Sequence, residues 1–496
     1  MVGYAKRDIW DPGSSKRRNM HRKSKLFVLL AVLALVIAAC GGGDGAGTTA
    51  DGGTATTADG GTATTADSGG TGTTADGGTG GAVEFDLFGA PTGAEGDAID
   101  GFLAAYNGAT GSNITYTGVS EFEQQLRIQV DGGDPPAVAF TPQPASICSF
   151  ADEGALVSLE EMGFDIAAME ANHSAYWMNL GLCDDGNHYG IPWFPNYKSI
   201  VFYSMPVFEA GGYEIPETYD DLVALSSQMV ADGQTPWCFG FESGDATGWP
   251  GTDWIEDILL REQGADVYAQ WYNHEIPFDD PVVTQAFDTF GEIFFGEGFV
   301  LGGSENVAGI NFEDSPGPLF EDPAGCAMLK QGSFISNFFE QSPGFEAGEE
   351  SEIGVFNFPS IDGNVGAMGG GDTLIVFDNS TGAAQAIQDW ITPEWQCTLA
   401  SATGGGIAAN GGHGVEGVER LPGHKDVDLG CYDTETSRTF AGAVTQALAA
   451  NTFAFDGSDL MPPEVGQETF WTGMIDWSQG TPSADVVSAI EGSWPS

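Results

Sequence analysis

The chain is poor in positive charge: fifteen Lys and Arg stand against seventy-one Asp and Glu. Such a surface repels nucleic acid and anionic lipid, and neither is expected as a partner. It also argues against an anionic ligand, unless a local site overrides the field. The acidity fits a saline habitat or simple solubility outside the cell. Also lacking is any CxxC or CxxH spacing, which removes the usual zinc frameworks. The six histidines, His173, His188 and His274 among them, show no metal-like spacing. No GxSxG, HExxH or P-loop occurs, so the common hydrolase and nucleotide signatures are missing. Paired carboxylates could make a glycosidase, but acids this abundant find pairs anywhere. Binding without chemistry, and without metal or cofactor, is the favoured expectation.

A signal stands at the N-terminus. Six cations, Lys16, Arg17, Arg18, Arg22, Lys23 and Lys25, precede an uncharged apolar run over residues 26–39. That run has the length of a signal-peptide core and is short for a membrane span. It ends Ile37-Ala38-Ala39-Cys40. Small residues before a Cys resemble the bacterial lipoprotein signal, which implies cleavage after Ala39 and acylation of Cys40. An uncleaved single-span anchor is the alternative, and Met20 is a candidate start. Residues 40–82 form a tether, nearly all Gly, Thr, Ala and Asp, in which TTADGGTA recurs from Thr48 and Thr56 and continues as the variant TTADSGGT from Thr64. Nothing in it can bury apolar area, so a flexible link is expected. Eight of the fifteen cations and two acids, Asp8 and Asp11, lie before Cys40. The chain from Cys40 onward thus keeps seven basic and sixty-nine acidic side chains, a formal net charge of −62.

The remaining length is too great for one ordinary core, which predicts two lobes. Residues 83–88 alternate as a strand, and 95–107 place Ile99, Phe102, Leu103 and Tyr106 on one helical face. Strands at 114–119 and 137–140 flank a helix at 121–131. Strand–helix alternation predicts an α/β fold with a largely parallel sheet. Ligands sit at the carboxyl ends of such strands, here Pro91-Thr92-Gly93, Ser120-Glu121-Phe122 and Thr141-Pro142-Gln143-Pro144. The pattern restarts with strands at 199–203, 237–241, 326–330 and 373–377. A capping box at Thr218 and Asp221 and a Pro at position 281 start helices. Helices are also expected from Ser333, over 383–390 and 393–402, and in the aromatic segment 470–494.

The stretches VDGGDPPAVAF, FADEGALVSLEEM, YGIPWFPNYKSIVFYSMPVFEAGGYEIPETYDDL and GCAMLKQGSFISNFF resemble the sugar-binding lipoproteins of ABC importers (extracellular solute-binding protein family 1). TPWCFGFESGDATGWPGTDWIEDILLR, GGGDTLIVF and DLMPPEVGQETFWTGMIDW look like the alpha-glucoside branch. The resemblance covers the chain after Val83. It implies a two-lobed, periplasmic-binding-protein-like (Venus flytrap) α/β fold with crossing hinge strands. Lobe one would be 83–195 plus 372–431, and lobe two 199–367 plus 432–496. Crossings would fall near 195–199 and 369–373. Disulfides within lobes would leave the hinge free, which suggests Cys148–Cys183, Cys238–Cys326 and Cys397–Cys431. The resemblance further implies a monomer at the outer membrane face, with a carbohydrate ligand and ABC permease subunits as partners. A surface glycosidase and a sugar-sensing or adhesive lipoprotein are the other classes.

A sugar offers hydroxyls at its rim and apolar C–H faces, so it suits aromatic platforms beside carboxylates and amides. The candidates lie where segments meet. Trp193 and Asn196 flank the first crossing. Trp249, Asp253 and Trp254 open a helix after a Gly-rich loop, and Asp253 could instead cap it. Gly370, Gly371 and Asp372 sit at the second crossing. Phe334 follows a strand end, Trp471 lies in the C-terminal segment, and Glu121 and Gln143 sit at lobe-one strand ends. Lys198 and Arg261, scarce cations, are expected as ion-pair anchors.

Overall fold

Period-two burial builds the first sheet. In β1 (Glu84–Gly89) Phe85 and Leu87 are buried while Glu84 and Asp86 are exposed. Its main chain pairs in parallel with β2 (Asn113–Gly118) and β3 (Val138–Thr141). The intervening helix Gly93–Thr110 buries Ile99, Phe102, Leu103 and Tyr106 against the sheet and ends at Gly111 in the left-handed conformation. The computed structural model describes residues 81–342, 345, 352–403, 421–432, 435–450 and 452–495, all within the unit Asp76–Ser496. The apolar run at 26–39, Cys40 and nearly all of the tether lie outside the described residues. Among the described residues no helix is long and apolar enough to cross a membrane.

β4 (Ile191–Tyr197) leaves this region and β5 (Ile200–Ser204) begins a second sheet with β6 (Met328–Lys330) and β7 (Ile353–Asn357). The chain returns in β8 (Ala367–Val376), which pairs antiparallel with both β3 and β4. β9 (Phe453–Phe455) then adds in parallel to the start of β8. The first sheet therefore runs β2-β1-β3-β8-β4 with β9 on β8, and the second β6-β5-β7. All ten residues of β8 belong to the first sheet. Only Lys198 and Ser199 separate β4 from β5, so one continuous stretch joins the two sheets.

The second core is aromatic. The helix Pro281–Phe294 starts as its sequence predicts, with the Asp280 side chain accepting from the Val282 amide and Pro281 in the first turn. Phe290 stacks on Trp254 at 4.7 Å and lies 5.1 Å from both Phe294 and Trp477. Two expectations fail here. Residues 237–241 form no strand; Trp237 makes single bridges to Val300 and Met328. Its apolar pattern reflects burial on several sides rather than a ladder, since Trp237, Phe239 and Phe241 all enter the aromatic core. The helix at Ser333 is a 3-10 helix, Ser333–Gln341. Disulfides join Cys148 to Cys183, Cys238 to Cys326 and Cys397 to Cys431, with Cα separations of 5.4, 5.5 and 5.5 Å. Phe290→Ala should cost about 3–5 kcal/mol, the range for emptying a packed aromatic site. Urea unfolding of the chain tests this; a loss below about 1 kcal/mol would contradict the packing described.

Candidate ligand-binding cleft

The carboxyl ends of β1, β2 and β3 open toward segments around residues 243–249, 312–313 and 334, and a cleft of about 1000 Å³, open mouth included, lies between them. One wall carries Pro91, Thr92, Glu95, Ser120, Glu123 and Gln143. The opposite wall carries Trp249, Phe312, Glu313, Phe334 and Trp471, and the base carries Asn196, Lys198, Gly370, Asp372, Asp456 and Asp459.

Trp249 begins a helix, Trp249–Gln263, whose N-cap is Gly248 at φ 115. A side chain at Gly248 would collide with the Trp471 carbonyl, so glycine lets the two tryptophans approach through their backbones. The Trp249 ring lies 5.2 Å from Phe312 and 5.8 Å from Phe334. Lys198 Nζ sits 5.1 Å above it. At the base Asn196 pairs with Gly370 across β4 and β8. A Cβ at Gly371 would enter the Trp177 ring, whereas one at Gly370 would meet nothing closer than Lys198 Cε at 3.5 Å. Gly371 is thus required by packing, and Gly370 leaves space on the cleft side.

Behind the base lies a buried set of charges. Lys198 Nζ donates to Asp253 Oδ1 at 2.8 Å and to Asp456 Oδ2. Arg261 pairs with Asp257, and Lys330 Nζ lies 3.3 Å from the second Asp257 oxygen. The Ser199 hydroxyl donates to Asp257 at 2.7 Å and accepts from the Met368 amide. Glu256 accepts from Tyr268 and from the amides of Gly457 and Ser458. Five acids thus meet three cations. Burial pushes Glu256 and Asp459 well above the carboxylate range, Asp456 adding to both. Burial also pushes Asp253 up to about 7, against the pull of Lys198.

Eight of the twelve expected binding residues line the cleft: Gln143, Asn196, Trp249, Phe334, Gly370, Gly371, Asp372 and Trp471. Four do not. Trp193 is the extra residue where the β4–β8 register shifts between Pro192 and Phe194. Its ring turns into the core, stacked 5.6 Å from Trp390 and edge-on to Phe140 at 5.2 Å. Trp254, five residues after Trp249, falls on the far side of the helix and packs on Phe290. Asp253 is buried beneath the cleft on Lys198, and it does not cap the helix. Glu121 is exposed beside the wall, where its carboxylate accepts from Ser120 at 2.9 Å. Lys198 and Arg261 are ion-paired as expected, and Lys198 also reaches the cleft. Sequence reasoning missed Glu95, Glu123, Phe312, Glu313, Asp456 and Asp459. Glu95 and Glu123 stand just past strand ends already singled out, which was the available signal. Among the described residues no His, Cys, Asp and Glu group is arranged to hold a metal ion.

A cleft flanked by two α/β sheets, with its base formed where the chain passes between them, defines a two-lobed solute-binding fold. Solved structures agree: the bacterial solute receptor AcbH superposes with a TM-score of 0.67 over 82% of this chain and 97% of its own, at 20% identity. RafE in complex with raffinose gives 0.62 over 83% and 98%, at 17% identity. The model of the bacterial extracellular solute-binding protein family matches residues 90–392, and the chain belongs to that family. Two curated relatives are each 36% identical. One is the osmoprotective compounds-binding protein GgtB of Synechocystis sp., matched over 82% of this chain and 92% of its own. The other is the alpha-glucosides-binding periplasmic protein AglE of Rhizobium meliloti, matched over 83% and 86%.

Lys198→Met should cost about 3–5 kcal/mol, because Asp253 and Asp456 would stay buried without their partner. The pH dependence carries the same signature. Burial alone would raise Asp456, but the Lys198 charge and hydrogen bond outweigh it and hold the group at about 2. The stabilisation is therefore complete above the ordinary value of 3.8 and disappears as pH falls toward 2. Urea midpoints measured from pH 5 to pH 2 should drop through that window, and the drop should flatten in Lys198→Met.

Proposed function

We propose that this chain is a lipid-anchored receptor on the outer face of a bacterial membrane. It captures a carbohydrate, an alpha-glucoside or another oligosaccharide, and delivers it to the permease of an ABC importer. The observation that carries this reading is the cleft itself. Aromatic rings on one wall face carboxylates and amides on the other, the complement of a sugar's apolar faces and hydroxyl rim. Two buried polar atoms add to it: Asn196 Oδ1 and Trp471 Nε1 have no hydrogen-bond partner although both residues line the cleft. A hydroxyl can donate to the first and accept from the second. The relative named for alpha-glucosides supports that sugar class.

Lobe one, 83–195 plus 372–431, and lobe two, 199–367 plus 432–496, would close on the sugar by bending where the strands pass beneath it. Contact with both lobes favours the closed state through its differential affinity. The signal at Cys40 supports the anchor, and the tether gives the receptor reach toward its permease.

Calorimetry with a panel of alpha-linked disaccharides tests the ligand class; failure to bind any of them, alongside uptake of another solute, would overturn it. Trp471→Ala should raise Kd roughly tenfold or more through loss of one platform. Cys40→Ala should release an active binder into the medium and lower uptake, and unchanged uptake would count against the anchor's role.

A further inference from the structure

The cleft walls carry more acceptors than a neutral sugar needs. Six carboxyl groups line the space: Glu95, Glu123, Glu313, Asp372, Asp456 and Asp459. Among the described residues the one cation of the lining, Lys198, is already engaged by Asp253 and Asp456. Glu95 and Glu123 belong to the wall formed by the first sheet, and Glu313 to the opposite wall. Like charges therefore face one another across the space a ligand would occupy.

The charges cross the cleft in pairs. Glu313 is pushed up first by burial and then by the charge of Glu95 opposite. Glu123, half-buried and hydrogen-bonded to Gln143, is pushed up by burial and further by Asp245 across the mouth. The unpartnered Oδ1 of Asn196, a residue only 9% exposed, adds a further acceptor to the same lining. The complement of such a wall is a group rich in donors and positive in charge. An ammonium has three donors and no acceptor. The aromatic rings beside it add attraction for a cation, and the field of a strongly acidic protein concentrates cations at a cleft.

We propose that the cleft takes a glycoside carrying a protonated amino group in preference to its neutral counterpart, the ammonium lying between Glu95 and Glu313. This rests on the carbohydrate reading above and narrows it to a ligand class. Glu313 and Glu95 set the charge preference, while the aromatic wall and the base hold the sugar ring. An anionic glycoside is refused by the same groups.

The test is calorimetry on the mature chain with three ligands of one skeleton: an alpha-linked disaccharide, its amino-deoxy analogue and its uronic acid. The amine should bind about tenfold more tightly than the neutral sugar, one partly desolvated ion pair in size, and the uronic acid more weakly than either. Glu313→Gln, which keeps the side chain's shape, should erase most of the amine's advantage, read as the ratio of the amine's Kd to the neutral sugar's Kd in the same variant. Circular dichroism and the urea midpoint verify that the variant is folded, and Glu95→Gln provides a second variant. If the neutral sugar binds and the amine binds no better, the charge preference is overturned while the carbohydrate reading stands. An advantage that survives both substitutions overturns the assignment to these residues. If only the amine binds, the preference stands and the neutral substrate class falls. If none of the three binds, both fall.

Discussion

The structure depends on a cluster of charges held out of water beneath the cleft. Lys198, Lys330 and Arg261 are three of the seven cations that follow Cys40, and all three are buried. Charges are costly to bury unless each finds a partner. For Lys198 and Lys330 the partners come from segments distant in sequence, Asp253 and Asp257 from the helix Trp249–Gln263 and Asp456 from the turn after β9, while Arg261 pairs with Asp257 inside that helix. Meeting that requirement ties the β4–β5 passage, the start of β8 and the β9 turn to one helix. Backbone bonds complete the tie, from Lys198 to Met368 and from Asp456 to Gly369. A network of this kind specifies register where plain hydrophobic packing would tolerate slippage.

The helix Trp249–Gln263 is where stability and binding meet. Every residue from Pro250 to Arg261 is buried, yet the helix is amphipathic. Trp254, Ile255, Ile258 and Leu259 enter the aromatic core, while Asp253, Glu256, Asp257 and Arg261 form a charged stripe at i, i+3, i+4 and i+8. Its first residue, Trp249, supplies an aromatic surface to the cleft, and Lys198 lies against both Trp249 and Asp253. The ligand wall and the buried charges are thus joined through one ammonium. Rigid support of this sort keeps a binding surface in place without further elements.

Much of the framework was legible because local chemistry and tertiary demand agreed. Asp280-Pro281 is a helix start in any context, and the alternation of Phe85 and Leu87 matches a half-buried strand. Where one segment served several neighbours, legibility failed. The apolar run at Trp237 looks like a strand but is shared among contacts on several sides. The charged stripe of Trp249–Gln263 has the appearance of a solvated face, because a sequence does not reveal whether charges have partners. Trp193 looked like a platform, but a one-residue bulge turned it inward.

By itself the sequence determined the α/β alternation, the strand-end loops that face the cleft, and the residue types able to meet a sugar. These follow from local periodicity and from chemistry that a short segment carries alone. Only the tertiary structure decided which side of each element faces the cleft, which tryptophans line it and which are core, and which carboxylates converge. Convergence depends on pairs such as Glu95 and Glu313, whose charges interact, and Lys198 and Asp456, which bond, both more than two hundred residues apart in the chain. No local pattern encodes such pairs, because they are selected by the free energy of the whole packed chain.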